Sequence, residues 1–364
     1  MPEQFFQTYL AGYTPFKSYW NYEDGCVLNA CRQMYQATNN RIYADFVLQY
    51  LSERIAEDGS IRTYPAAAHS LDSFHCGKSL FFAYQLTNEP RYRKAAEWQA
   101  AQIQQHPRTK SGFCWHKQIY PQQIWIDGLY MTEPFFAEYA LGHQNPRIYS
   151  EIGRRFAFVE AQMRQAETGL YYHGLDESRS QIWADKETGL SDAFWLRGEG
   201  WLLMALTDTI LLLPDSQAEL FGKLTQMLKN AVRDILPFRA SDGLFYQVID
   251  QPQRAGNYTE TSGSCMIAYT LLRGGNAGIF DAKQQQIGLE ILEDTKKLKL
   301  RDNRHCDICS AAGLGGANMR DGSAAYYLSE PIVQNDPKGV ASMMLAEAQR
   351  LMMLKMKQNR RKVV

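Results

Sequence analysis

Between residues 41 and 56, Tyr43, Phe46, Val47, Tyr50, Leu51 and Ile55 recur at helical spacing, while Asp45, Glu53 and then Glu57 fall on the other side. That period gathers the apolar side chains into one stripe and leaves the opposite face to water. The same stripe returns over 145–165 (Ile148, Ile152, Phe156, Val159, Met163) and over 215–235 (Phe221, Leu224, Leu228, Val232, Ile235). Entry signals precede both: Asn145 and Pro146 as cap and first position, and Ser216 with Glu219 as a capping box. Alternating with these are 72–86, 195–212, 259–275 and 339–357, which are apolar nearly all round, as helices enclosed on every side must be.

Outer helices are thus predicted at 3–12, 41–56, 91–106, 145–165, 215–235 and 280–298, and inner helices at 21–37, 72–86, 127–141, 195–212, 259–275 and 339–357. Pro134 must either kink 127–141 or start its regular part. Inner-to-outer links are short (38–40, 87–90, 142–144, 213–214, 276–279), and outer-to-inner links are long (57–71, 107–126, 166–194, 236–258, 299–338). Every long loop therefore emerges at one end. Several carry a turn and then aromatics, such as Asp242-Gly243-Leu244-Phe245-Tyr246 and Asp321-Gly322 before Tyr326-Tyr327, which read as hairpin excursions of a recurring unit. The fold predicted is all-α, an (α/α)6 barrel or six-hairpin toroid with long loops and short hairpins at one end. A superhelical array is the alternative, but no polar capping repeat is visible. No linker-like run divides 1–364, so a single domain over 1–364 is expected.

Composition narrows the function classes. The 39 basic and 39 acidic residues cancel, so no nucleic-acid face is implied, and the basic tail Lys355 to Lys362 reads as a solvated helix end. Neither a signal segment nor a membrane span is visible, so a soluble cytoplasmic protein is expected. Seven scattered cysteines suit reduced thiols. His305-Cys306-Asp307-Ile308-Cys309 lacks a second cysteine pair at zinc spacing and reads as structural, and Gly313-Leu314-Gly315-Gly316 follows no recognisable strand. No metal or organic cofactor is signalled.

The chemistry gathers at the loop end. Trp115-His116-Lys117 precedes Trp125-Ile126-Asp127, placing one carboxylate among tryptophans, a histidine and a lysine. A carboxyl against apolar rings loses hydration, its pKa rises, and it can hold a proton near neutral pH and deliver it. The bland reading of Asp127 is a helix cap. However, inner helices start where the long loops lie, so their free N–H groups face a common bowl. At those starts stand Asp72, Trp125 with Asp127, Trp195 with Arg197, and Thr259-Glu260-Thr261, with His69, His116, Lys117 and His173 along the rim. Capping alone explains such a gathering poorly, and a sugar site containing an acid is favoured. Individually, Asp72 reads equally as a cap, Arg197 as a partner of Glu199 or Asp192, Trp201 as core, and His75 and His143 as surface or satisfied polar residues.

Trp115-His116-Lys117, Trp125-Ile126-Asp127-Gly128-Leu129-Tyr130-Met131, Leu71-Asp72 with Gly77-Lys78, Arg197-Gly198 with Gly200-Trp201, Glu260-Thr261-Ser262-Gly263-Ser264, and Glu330-Pro331 with Asn335 to Gly339 together resemble glycoside hydrolase family 105. The resemblance implies an (α/α)6 barrel that releases a 4,5-unsaturated uronic acid from lyase-generated oligosaccharides, most simply unsaturated galacturonyl-rhamnose from pectin. It implies Asp127 as general acid and then base, with Asp72 sharing its site. It further implies Arg197 on the uronate carboxylate, with Trp201 and His173 at its other side, and Tyr22, Lys117, Trp125, Met131 and Trp195 as walls. The implied partner is a small oligosaccharide, with no nucleic acid and no membrane. Glu199 departs from the pattern, where a neutral residue is expected, and is expected to put a negative charge near Arg197. An epimerase or inverting glycosidase on saturated sugar, or a glycan-binding protein, are the rival readings; oligomeric state and aglycone are left open.

Overall fold

The computed structural model describes residues 2–143, 145–317 and 319–363; the side chains of Pro2 and of 360–363, and with them the last part of the basic tail, lie outside the described residues. Its inner helices are α2 (Tyr22–Thr38), α4 (Asp72–Thr87), α6 (Asp127–His143), α8 (Leu196–Ile210), α10 (Thr261–Asn276) and α13 (Pro337–Val363). The outer ones are α1 (Pro2–Ala11), α3 (Arg41–Arg54), α5 (Pro90–Gln102), α7 (Pro146–Gln162), α9 (Ala218–Ile235) and α11 (Ala282–Lys299). Each inner helix packs on the next, α2 on α4, α6, α8, α10 and α13 in turn, and α13 packs back on α2, so the inner ring closes. From α3 onward each outer helix lies against the inner helix before it, and one continuous buried apolar cluster fills the space between the rings. This is the (α/α)6 barrel that the alternation of one-sided and all-round apolar segments predicts.

Close contact between inner helices needs small residues at crossing points. A Cβ on Gly25 of α2 would lie 2.7 Å from the backbone Cα of Cys76 in α4, so only glycine fits there. The ends are set locally: Asn145 caps α7 by accepting from the Arg147 N–H, with Pro146 at the first position. The capping box expected at Ser216 and Glu219 does not form. Asp215–Gln217 make a 3-10 turn instead, and α9 starts after it with no side-chain cap. Pro134 sits inside α6 rather than at the start of its regular part.

The long loops are stitched together at one end. Strand β1 (Gln123–Trp125) pairs antiparallel with β2 (Gly174–Asp176), β3 (Leu300–Arg301) with β4 (Arg304–His305), and β5 (Ile308–Cys309) with β6 (Ile332–Val333). A short helix not predicted from the sequence, α12 (Ala324–Ser329), lies in the last loop. All seven cysteines are buried and free. Among the described residues no helix is long and apolar enough to cross a membrane, and no three His, Cys, Asp or Glu side chains cluster as a metal site.

Candidate active site

Four inner helices start at the loop end with a polar residue where the apolar run begins: Asp72 heads α4, Asp127 heads α6, Arg197 is second in α8, and Glu260 caps α10. The β1–β2 register places Trp125 opposite Gly174, and the Ile126 N–H donates to the His173 carbonyl, so His173 is held beside Asp127. The Leu71 N–H donates to the His116 carbonyl, which holds the 115–117 segment against the start of α4.

The carboxyls of Asp72 and Asp127 face different neighbours. Asp72 receives Lys117 Nζ at 2.5 Å and His116 Nε2 at 3.3 Å. Burial raises its pKa, but the Lys117 and His116 charges and their hydrogen bonds outweigh this and hold it well below the usual carboxylate range. For Asp127 burial wins: its pKa is raised, the Asp72 charge adding to the effect while His116 and Lys117 oppose it. Its Oδ1 is buried, makes no hydrogen bond to the protein, and lies 3.9 Å from His173 Nε2. Burial likewise pushes His173 well below its ordinary pKa, so its ring is neutral at pH 7.

Aromatic rings wall this pair of acids. Trp125 stacks on His116 with centroids 4.3 Å apart and packs against Tyr120 at 4.6 Å, while Trp195 lies 4.6 Å from His173. Across the mouth, Arg197 is buried. Its Nη1 donates to the Cys309 carbonyl at 2.5 Å and to Ser262 Oγ at 3.2 Å, its guanidinium lies 5.0 Å over Trp195, and its Nε has no protein partner. Its ionic neighbour is Glu260, at 3.9 Å, rather than Glu199 or Asp192. Tyr22 belongs to the same neighbourhood: burial, then Glu23, raises its hydroxyl pKa, Arg197 opposes this and Asp72 adds to it.

The structure therefore brings together Asp72, Asp127, His173, Lys117, Trp125, Trp195, Arg197 and Tyr22 at the mouth. Two others named from the resemblance, Met131 and Trp201, lie one helical turn beyond Asp127 and Arg197 on α6 and α8. Trp201 stacks on Tyr130 at 5.1 Å and edges His75, and Met131 is 1% exposed within the main core. His69 packs on the His106 ring. His75, expected to be at the surface or satisfied, is buried with neither ring nitrogen hydrogen-bonded to the protein. Tyr327, which the sequence marked only as an aromatic after a turn, meets His173 Nδ1 through its hydroxyl at 2.7 Å and stacks on Trp195.

The expectation for Glu199 is overturned. Residues two apart on a helix point to opposite sides, so Glu199 turns from Arg197 toward the outer ring, where it accepts from the Tyr171 N–H. Burial pushes its pKa up to about 8, with Arg164 opposing and Asp234 adding, so near pH 7 it is mostly protonated. A carboxyl raised on folding contributes stability that is fully present below its unfolded pKa and is lost as pH rises through the folded value. Glu199→Gln should therefore leave stability near pH 5 almost unchanged, and should remove a loss of roughly 3 to 5 kcal/mol that the parent accumulates on rising through pH 8. Denaturant unfolding at pH 5 and pH 9 checks this; identical pH slopes in both proteins would rule it out.

Three kinds of relative bear on the family. The model of Glycosyl Hydrolase Family 88 matches residues 4–354. A solved family 105 glycoside hydrolase of C. acetobutylicum ATCC 824 superposes with a TM-score of 0.91 and 37% identity, covering 96% of this chain and 98% of that one. Protein Atu3128 of Agrobacterium fabrum is 37% identical over 234 residues, which are 61% of this chain and 99% of that protein. An unsaturated 3S-rhamnoglycuronyl hydrolase of Formosa agariphila is 25% identical over 169 residues, 44% of this chain and 43% of that protein. A barrel of this topology, matched along nearly its whole length, identifies the chain as a glycoside hydrolase belonging to the family 88 and family 105 group.

Proposed function

We propose that this hydrolase removes a 4,5-unsaturated uronic acid from the non-reducing end of oligosaccharides left by polysaccharide lyases, with unsaturated galacturonyl-rhamnose as its simplest substrate. The carrying observation is a pair of acids in unlike surroundings: Asp72 held ionised by Lys117 and His116, and Asp127 buried, raised in pKa, with an oxygen unbound by the protein. Pairs of titratable groups pushed apart in this way mark acid and base assignments. The activity of the Formosa agariphila relative, an unsaturated rhamnoglycuronyl hydrolase by name, is of the same class.

In this reading the Asp127 proton goes to C4 of the enol ether, and positive charge develops at C5 and the ring oxygen. The Asp127 carboxylate then takes a proton from water as its oxygen bonds to C5. The resulting hemiketal opens by breaking its bond to the ring oxygen, and the hemiacetal left at C1 expels the aglycone alcohol. Arg197 holds the C5 carboxylate, a role that its always-charged fork suits. Neutral His173 lies against Asp127, and Trp125 and Trp195 exclude water and pack on the ring. The two-carboxylate spacing rule for saturated glycosides does not apply, since no bond at C1 breaks in the first step.

The test is incubation with unsaturated galacturonyl-rhamnose while following the ultraviolet absorbance of the conjugated double bond. Decay of the absorbance with release of rhamnose is expected. Persistence with this disaccharide and with a panel of other unsaturated uronides would sink the reading and leave a saturated-sugar enzyme in its place.

A further inference from the structure

Tyr327 belongs to α12, the short helix within the last long loop. Ser323 caps that helix by accepting from the Tyr326 N–H, the Tyr327 N–H donates to the Ser323 carbonyl, and Gln247 Nε2 donates to the Tyr327 carbonyl at 3.3 Å. The Tyr327 ring stacks on Trp195 with centroids 6.1 Å apart and planes 12° apart. Backbone and ring are both held, and they bring the hydroxyl to 2.7 Å from His173 Nδ1. Both side chains are fully buried.

A neutral imidazole carries one N–H and one bare nitrogen, and the bond made at one nitrogen decides which is which. Burial keeps the His173 ring neutral, and burial also keeps the Tyr327 hydroxyl protonated, with Tyr326 and Asp127 adding to the rise in its pKa. Two arrangements of the shared hydrogen bond are then open. If Nδ1 carried the hydrogen, the phenol oxygen would accept it, and the phenol O–H would be left in a packed interior with no other partner among the described residues. A buried donor without an acceptor is costly. If Nδ1 is bare, the phenol donates to it and both groups are satisfied. This second arrangement leaves the ring hydrogen on Nε2.

Nε2 is the nitrogen that faces the chemistry. It lies 3.9 Å from Asp127 Oδ1, and neither atom has a hydrogen-bond partner in the protein. That separation is beyond hydrogen-bond range, and contacts of this kind tighten in the substrate complex. An Nε2–H aimed at Oδ1 suits the carboxylate that Asp127 becomes once its proton has gone to C4. A bare Nε2 would do the reverse: it would accept the Asp127 O–H and hold the proton away from C4. The hydrogen on Nε2 itself is transferred in neither step.

We propose that Tyr327 is a positioning residue that acts through His173: its O–H donates to Nδ1, fixes the ring hydrogen on Nε2, and so presents a donor rather than an acceptor to Asp127. The part played in turnover rests on the unsaturated-uronide reading, whereas the tautomer does not.

NMR of the histidine ring nitrogens reads the tautomer directly, with His173 picked out of the seven histidines by its absence in His173→Leu. The parent should show a bare Nδ1 and a protonated Nε2, and Tyr327→Phe should show a mixture or the reverse. In that variant, which keeps the ring on Trp195, kcat on an unsaturated uronyl disaccharide should fall about 10- to 100-fold, the size of one hydrogen bond to a carboxylate, with KM little changed. Placed in the His173→Leu background, Tyr327→Phe should add almost no further loss, because the ring through which the hydroxyl acts is gone. If Tyr327→Phe folds poorly, the tautomer of the parent still decides the proposal. A protonated Nδ1 in the parent, or a loss of the same size with and without His173, would overturn the role of Tyr327. No turnover of unsaturated uronides by the parent would instead remove the substrate reading, with the nitrogen signals still deciding which tautomer Tyr327 fixes.

Discussion

Asp127→Asn is expected to lower kcat on an unsaturated uronyl disaccharide by about 10³-fold or more, while the melting temperature and the affinity for substrate change little. Positioned acid–base groups contribute roughly 10²- to 10⁴-fold, and in the proposed mechanism one group performs both proton transfers, so the upper part of that range applies. Asparagine keeps the size of the side chain and the acceptor that a residue at the head of α6 needs. What it lacks is a transferable proton. Because Asp127 is buried with a raised pKa, removing its charge relieves desolvation rather than breaking an ion pair, and folding should not suffer. Lys117, His116 and Asp72 remain a closed cluster without it. Single-turnover rates, ligand affinity by calorimetry and thermal unfolding together check the prediction. Near-parental turnover would remove Asp127 from the chemistry, and a parent that binds sugar without turning it over would favour the glycan-binding reading.

Much of the barrel was legible in the chain because each ring imposes a different pattern. A helix wet on one side must repeat its apolar residues near 3.6, as Tyr43, Val47, Tyr50 and Leu51 do, whereas α8 is buried round its whole circumference and is apolar nearly all round. The heads of the inner helices were legible for the same reason: Asp72 and Asp127 stand where a polar loop meets an apolar run. What escaped were contacts that no period encodes. Tyr327 reaches His173 across 154 residues of sequence from an irregular loop. The nearness of Glu199 to Arg197 in sequence hid their opposite directions on α8. The 3-10 turn at 215–217 displaced a capping box whose residue types were right but whose backbone is not helical there. Depth was equally hidden: the sequence does not show that Trp201, one turn into α8, stacks on Tyr130.

Arg197 is expected to show two separable effects. Arg197→Met should raise KM for the unsaturated uronide by about 10²-fold, since a charged hydrogen-bonded pair contributes roughly 1.5 to 3 kcal/mol. It should also cost about 3 to 5 kcal/mol of stability, because Glu260, fully buried, loses the cation 3.9 Å away. Arg197→Lys separates the two. An ammonium restores a positive charge near Glu260, which keeps its bonds from the Gly263 and Cys309 N–H groups, so most of the stability should return. A point charge cannot form the planar fork, nor can it bond the Cys309 carbonyl and a carboxylate in the same geometry. KM should therefore stay about tenfold above the parent in the lysine variant, with kcat affected less. Denaturant unfolding and steady-state kinetics on the three proteins give both readings. If the methionine variant loses stability but keeps the parental KM, Arg197 serves only to neutralise Glu260 and hold the Cys309 loop, and the uronate carboxylate must be held by another cation at the mouth, for which Lys117 or Lys338 would be the next to replace.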